Sequence, residues 1–156
     1  MARKNIGTMM GSQTTSTFIG IPAGTLSDVS GGSAVFGAPC ATPYPSVGAY
    51  CKEAPAAIRS AISSYQANIH HMDFDLGGPI FPNGVNAIDL GNLEFDESDA
   101  AGNRERIRST VSQIVAKGGV PVVIGGDDSI PIPMIEGFAE HGEYFVLQID
   151  AHIDYR

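Results

Sequence analysis

Short apolar runs alternate with amphipathic stretches along most of this chain. Ser33-Ala34-Val35-Phe36-Gly37-Ala38 is an apolar run of strand length, and Pro39, Pro43, Pro45 and Gly48 then mark a loop. Residues 54–67 read as a helix, because Pro55 suits a first helical turn and Ala57, Ile58, Ala61 and Ile62 share one face. Residues 68–74 and 86–90 read as two further strands, with Gly77-Gly78-Pro79 as a turn between them. The clearest helix spans 103–117: Ile107, Val111, Ile114 and Val115 recur at helical spacing, and Gly118-Gly119 stops it. Asp96, Glu97 and Asp99 ahead of it read as capping residues and N-terminal charge. Val120-Pro121-Val122-Val123-Ile124 is a buried strand, 130–141 a helix, and the run from Tyr144 to Ile149 a last buried strand. Strands that alternate with helices predict an α/β fold with a mostly parallel sheet. Residues 1–33 lack periodicity and are rich in Gly, Ser and Thr, so they read as an irregular N-terminal arm.

Two of the predicted strands end in residues that bind cations. One runs into Gly125-Gly126-Asp127-Asp128-Ser129, the other into Asp150-Ala151-His152-Ile153-Asp154. Strand side chains alternate between faces, so Asp150, His152 and Asp154 share a face if the extended shape continues. In parallel α/β sheets, ligands bind outside the carboxyl ends of the strands. Carboxylates with one imidazole suit one or two hard divalent cations there. Asp127 reads as a buried hydrogen-bonding residue rather than a ligand. A phosphate loop is excluded at Gly125-Gly126, because Asp127 and Asp128 repel phosphate and no lysine follows. His70, His71, Asp73 and Asp75 also look metal-like, but Gly77-Gly78-Pro79 marks that stretch as a strand-exit loop. His141 reads as a helix-end residue before Gly142.

Composition narrows the partners. The chain has 156 residues, 43% of them hydrophobic, enough for one domain with a core. A net charge of −8 argues against nucleic acid and anionic membrane as partners and is compatible with a cationic substrate. No apolar run approaches a bilayer span, and the polar stretch after Met10 is unlike a signal peptide, so the cytoplasm is the expected location. Cys40 and Cys51 fit a reducing compartment; their spacing is that of neither a redox pair nor a zinc site.

Together the two acidic motifs resemble those of the ureohydrolases, the family of arginases, agmatinases and related guanidino-acid hydrolases, which carry GGDHS after one strand and DAHxD after the next. The resemblance extends to Phe36-Gly37-Ala38-Pro39 and to Ala54-Pro55-Ala56-Ala57-Ile58-Arg59, and so covers residues 34 to 156. It implies a three-layer α/β fold of the arginase/deacetylase type, with helices on both faces of the sheet. It also implies two Mn ions sharing a hydroxide that attacks a small guanidino compound such as agmatine or guanidinobutyrate, releasing urea. By resemblance Asp150 bridges both ions, His152 binds one and Asp154 the other. Asp128 stands where the family has a histidine ligand. Aspartate there is shorter and charged, which implies a displaced or water-mediated metal and a bridging water that is less acidic.

The family's second pair of metal-binding aspartates, its guanidinium-binding glutamate and its proton-shuttling histidine have no counterpart here. Residues 34–156 therefore read as the N-terminal half of a ureohydrolase domain, incomplete in this chain. The alternative is a non-catalytic metal-binding or assembly subunit. The resemblance further implies a homo-oligomer, trimer or hexamer. Substrate-binding residues are not readable, although the loop of residues 39–48 leaves the carboxyl end of a strand and is a candidate for substrate contact.

Overall fold

A computed structural model describes residues 16–63, 72–82 and 86–152. Among the described residues three strands form one sheet: β1 (Ser33–Ala38), β2 (Ala87–Asn92) and β3 (Val120–Gly125). Their order is β2-β1-β3 and both pairings are parallel. The central strand β1 is buried along nearly its whole length, which explains its continuous apolar run. Among the described residues three α-helices accompany the sheet: α1 (Ala54–Ile62), α2 (Ala100–Ala116) and α3 (Pro131–Glu136).

Alternation along β1 supplies two apolar faces. Ala34, Phe36 and Ala38 join Ile107, Val111 and Ile114 of α2, with Ile130, in the main core. Burial of each large side chain contributes about 1.5–3 kcal/mol. Val35 points the other way, into a smaller cluster with Ile21 and Ile124. Helix α1 packs on β1 and β3 and also meets the short 3-10 turn Phe18–Gly20. Residues 16–32 thus form cover rather than a loose tail: Ile21 and Val29 are buried, and Ala23 bridges to Asp89.

Helix α2 shows why the sequence signal was clear. Asn103, Ile107, Thr110, Val111 and Ile114 make its one buried stripe. Asp99 caps it by accepting from Gly102 N at 2.8 Å. At the other end Gly118 takes a φ of 71°, and Gly119 N returns to the Ile114 carbonyl at 2.9 Å.

One structural element was invisible to periodicity. Arg59 of α1 is 7% exposed and donates through Nε and Nη2 to both oxygens of Asp89 on β2, each at 2.8 Å. Its Nη1 reaches Asn92 Oδ1 at 2.5 Å, and Asp89 also accepts from Phe18 N and Gly91 N. Burial pushes the Asp89 carboxyl up, but the Arg59 guanidinium and the two backbone N–H groups outweigh it, leaving it below the usual carboxylate value. This pair ties α1, β2 and the Phe18 turn together.

Several boundaries differ from the sequence expectation. Helix α1 ends at Ile62, and residues 64–67 lie outside the described residues. Residues 68–71 of the strand expected at 68–74 also lie outside them, as do residues 1–15 of the arm. Within 72–74, Asp73 forms only an isolated bridge with Gly78 and accepts from the N–H groups of Asp75 and Leu76, a turn rather than a strand. Helix α3 stops at Glu136, where a helix to 141 was expected. Phe138, Ala139 and His141 instead donate to carbonyls three residues back, a tighter winding.

The largest difference is the run from Tyr144 to Ile149. It is neither a strand nor buried: Phe145, Leu147 and Ile149 are 104%, 85% and 91% exposed. A buried strand needs hydrogen-bonding neighbours and cover on both faces; among the described residues the run pairs with no strand, and only Tyr144 has ring cover, from Phe138 at a centroid distance of 5.4 Å.

Candidate functional site at the strand ends

Parallel pairing brings the carboxyl ends of β1 and β3 side by side, in the register Gly37 to Ile124 and Ala38 to Gly125. The loop after β1 and the Gly-Gly-Asp-Asp-Ser turn after β3 therefore meet, and Ser129 joins them. Its Oγ accepts from Ala41 N at 3.0 Å and Thr42 N at 3.1 Å, and donates to Asp127 Oδ1 at 2.5 Å. Asp127 Oδ1 also accepts from Ser129 N, so Asp127 has the hydrogen-bonding role read from the sequence. Its Oδ2 is buried and has no hydrogen-bond partner among the described residues. Gly126 is required by contact. A Cβ there would lie 2.6 Å from Cys51 Cβ and 3.0 Å from the Cys51 carbonyl carbon, so the later part of the loop rests directly on the turn.

Cys40 is buried beside this network, 3.9 Å from Ser129 Oγ. Burial, then the Asp127 carboxylate, pushes its thiol up to about 11. Both cysteines are free thiols.

Asp128 lines a groove of about 820 Å³, together with Tyr44, with Pro131, Met134 and Phe138 around α3, and with residues from Tyr144 to Asp150. Tyr44 donates its phenol hydrogen to Asp128 Oδ1, across a gap of 84 residues in sequence. That bond, then desolvation, pushes the Tyr44 hydroxyl up to about 12. Sequence reading singled out the loop of residues 39–48 but not Tyr44; a loop tyrosine carries no signal until its partner is known.

The four residues expected at a metal centre are placed unevenly. Asp128 and Asp150 line the same groove. His152 follows Asp150 in a local turn, its N–H donating to Asp150 Oδ1 at 2.8 Å and its Nδ1 at 3.7 Å from the same oxygen. Its side chain is 82% exposed. The hydrogen bond from His152 holds the Asp150 carboxyl below its usual value. Asp154 lies outside the described residues. Among the described residues no three candidate ligands converge on one point. The residue types are nonetheless those that suit a hard divalent cation: two carboxylates on one groove and an imidazole beside the second.

The arginase family model matches residues 32–156. The chain belongs to the arginase family. Formimidoylglutamase of Halalkalibacterium halodurans is 32% identical over 106 residues, 66% of this chain and 31% of that protein. Agmatinase of Serratia proteamaculans is 27% identical over 106 residues, again 66% of this chain and 33% of its own length. The mitochondrial guanidino acid hydrolase of Homo sapiens is 34% identical over 67 residues, 42% of this chain and 19% of that protein. The chain thus spans a third or less of the curated relatives it matches. In structure it is similar to a hypothetical agmatinase from Burkholderia thailandensis, with a TM-score of 0.63 and 23% identity, covering 82% of this chain and 39% of that one. The arginase-type α/β fold expected from the sequence is therefore present, as a part of the whole.

Proposed function

We propose that the polypeptide carrying this chain hydrolyses a small guanidino compound, such as agmatine or guanidinobutyrate, to an amine and urea with the help of manganese. Residues 34–156 would supply the N-terminal half of its catalytic domain, with 1–33 as an arm. Asp128, Asp150, His152 and Asp154 would be this chain's share of the ligands for two Mn ions. The observation that carries the reading is that Asp128 and Asp150, from the two family motifs, line one groove beside the end of β3. Ions held there would supply the acidity that makes neutral water a nucleophile, which a resonance-stabilised guanidinium requires. The chain's own residues contribute position: Ser129 and Asp127 seat the loop of residues 39–48 over the groove, and Asp128 is held by Tyr44. The net charge of −8 favours a cationic substrate.

The match to a formimidoylglutamase supports a second reading, in which the amidine is a formimidoyl group. Both reactions break an amidine C–N bond, and their products differ. A trimeric or hexameric assembly and a cytoplasmic location belong to the same proposal; among the described residues no helix is long and apolar enough to cross a membrane. The test is to supply Mn to the purified polypeptide with agmatine, guanidinobutyrate, guanidinopropionate, arginine and formimidoylglutamate in turn, assaying urea and formamide. Urea from a guanidino compound is expected. Formamide alone would favour the second reading, and neither product from any substrate would end both.

A further inference from the structure

Asp128 is the point where this chain departs from its family's pattern, and it has a partner on a different element. The Tyr44 phenol donates to its Oδ1. Tyr44 does not hang freely. A turn sets its backbone, with Gly48 N donating to the Tyr44 carbonyl at 2.8 Å and Tyr44 N to the Gly48 carbonyl at 3.2 Å. Ala41 and Thr42, just before it, are fixed on Ser129 Oγ. Arg104 of α2 reaches Thr42 Oγ1 at 3.0 Å, and the Tyr50 ring leans on Tyr44 with centroids 6.0 Å apart. The loop thus delivers a hydroxyl to one oxygen of the carboxylate and leaves the other oxygen unclaimed by it.

We propose that Tyr44 is a positioning residue for Asp128, orienting the carboxylate so that its second oxygen faces the groove as a single-oxygen ligand, and thereby coupling the seating of the loop of residues 39–48 to cation binding. This rests on the reading of Asp128 as a metal ligand. A carboxylate is shorter than a histidine and turns about its side-chain bonds, so an oriented partner restores a defined direction. A hydrogen bond to a ligating carboxylate typically changes metal affinity by about tenfold to a hundredfold. Coupling is reciprocal, so a loop that favours the cation must itself be favoured by the cation.

The experiment uses Mn alone as probe on the polypeptide carrying this chain, titrated by electron paramagnetic resonance, with Tyr44→Phe and Asp128→Ala as variants. Tyr44→Phe is expected to weaken Mn binding by about tenfold, with an unchanged circular dichroism spectrum, and to weaken it less than threefold (about 0.65 kcal/mol) when Asp128 is already alanine. Backbone exchange at Tyr44 and Gly48 in the unsubstituted protein is expected to slow when Mn is added. Unchanged Mn affinity in Tyr44→Phe alongside lost affinity in Asp128→Ala would overturn the role of Tyr44 and leave Asp128 as a ligand. Unchanged affinity in both would overturn the assignment of Asp128 as well. Should Tyr44→Phe fail to fold, the exchange experiment decides, and exchange indifferent to Mn overturns the coupling.

Discussion

Replacing Arg59 with methionine is expected to cost the fold about 3–5 kcal/mol, the usual penalty for removing one partner of a buried ion pair. The guanidinium and the Asp89 carboxylate are 8% and 2% exposed, and both N···O distances are 2.8 Å. Methionine fills much of the volume, so the loss is chiefly electrostatic: Asp89 keeps its Phe18 and Gly91 N–H donors but loses its counter-charge. Natural domains hold only about 5–15 kcal/mol in all, so a large share would go. With a urea slope of about 1–3 kcal/mol per molar, the midpoint should fall by at least about 1 M. Asp89 has a lowered pKa in the folded state, so its contribution is present above the unfolded carboxylate value of about 3.9 and is lost as pH falls through the lower folded value. The variant should therefore be most damaged near neutral pH, with the gap to the parent narrowing in acid. Arg59→Met combined with Asp89→Leu should recover part of the loss, since no charge is then left buried. Urea melts followed by circular dichroism across this pH range measure all of it. A single-variant cost under about 1 kcal/mol, typical of an exposed pair, or a gap that widens in acid, would refute the reasoning.

Other perturbations read out other parts of the account. Ser129→Ala removes the shared acceptor of Ala41 N and Thr42 N, at a cost of about 1–3 kcal/mol; these two amides should exchange faster, and unchanged protection would count against the junction. Asp99→Ala should lower stability by about 1 kcal/mol and Asp99→Asn by less, because asparagine still caps; equal losses would mean that charge rather than capping matters. With its thiol pushed up to about 11, Cys40 should be only about 1% thiolate at pH 9, so iodoacetamide should modify Cys51 first in the folded protein, and equal rates would contradict the burial of Cys40.

What was legible in the sequence follows from what carries a local signal. Strand β1 and helix α2 were readable because each puts a continuous or periodic apolar pattern against the core. Strand β3 was readable from its β-branched run, but among the described residues it is an edge strand with Val120 and Val122 exposed rather than the buried strand expected. The acidic turn after β3 was readable because it follows a β-branched run that pairs in parallel with β1. The contacts that span distance were not. Arg59 meets Asp89 30 residues away and Tyr44 meets Asp128 84 away, and nothing local to either residue of a pair points to its partner. The run from Tyr144 to Ile149 shows the converse. Its composition is that of a buried strand, but strand formation depends on neighbours that composition cannot specify. The expectation that Asp150 and His152 share a pleated face rested on that strand, and the structure brings them together through a turn instead.

The central claim proposed above is that the two acidic motifs of this chain serve a manganese-dependent amidine hydrolase. The most direct measurement is urea release by the polypeptide carrying this chain from its best guanidino substrate, after chelation to a metal-free state verified by elemental mass spectrometry and again after Mn is restored. The account predicts that release vanishes on stripping, returns with Mn, and does not return in Asp150→Ala. Undiminished urea release from the metal-free protein, or full recovery by Asp150→Ala, would contradict it.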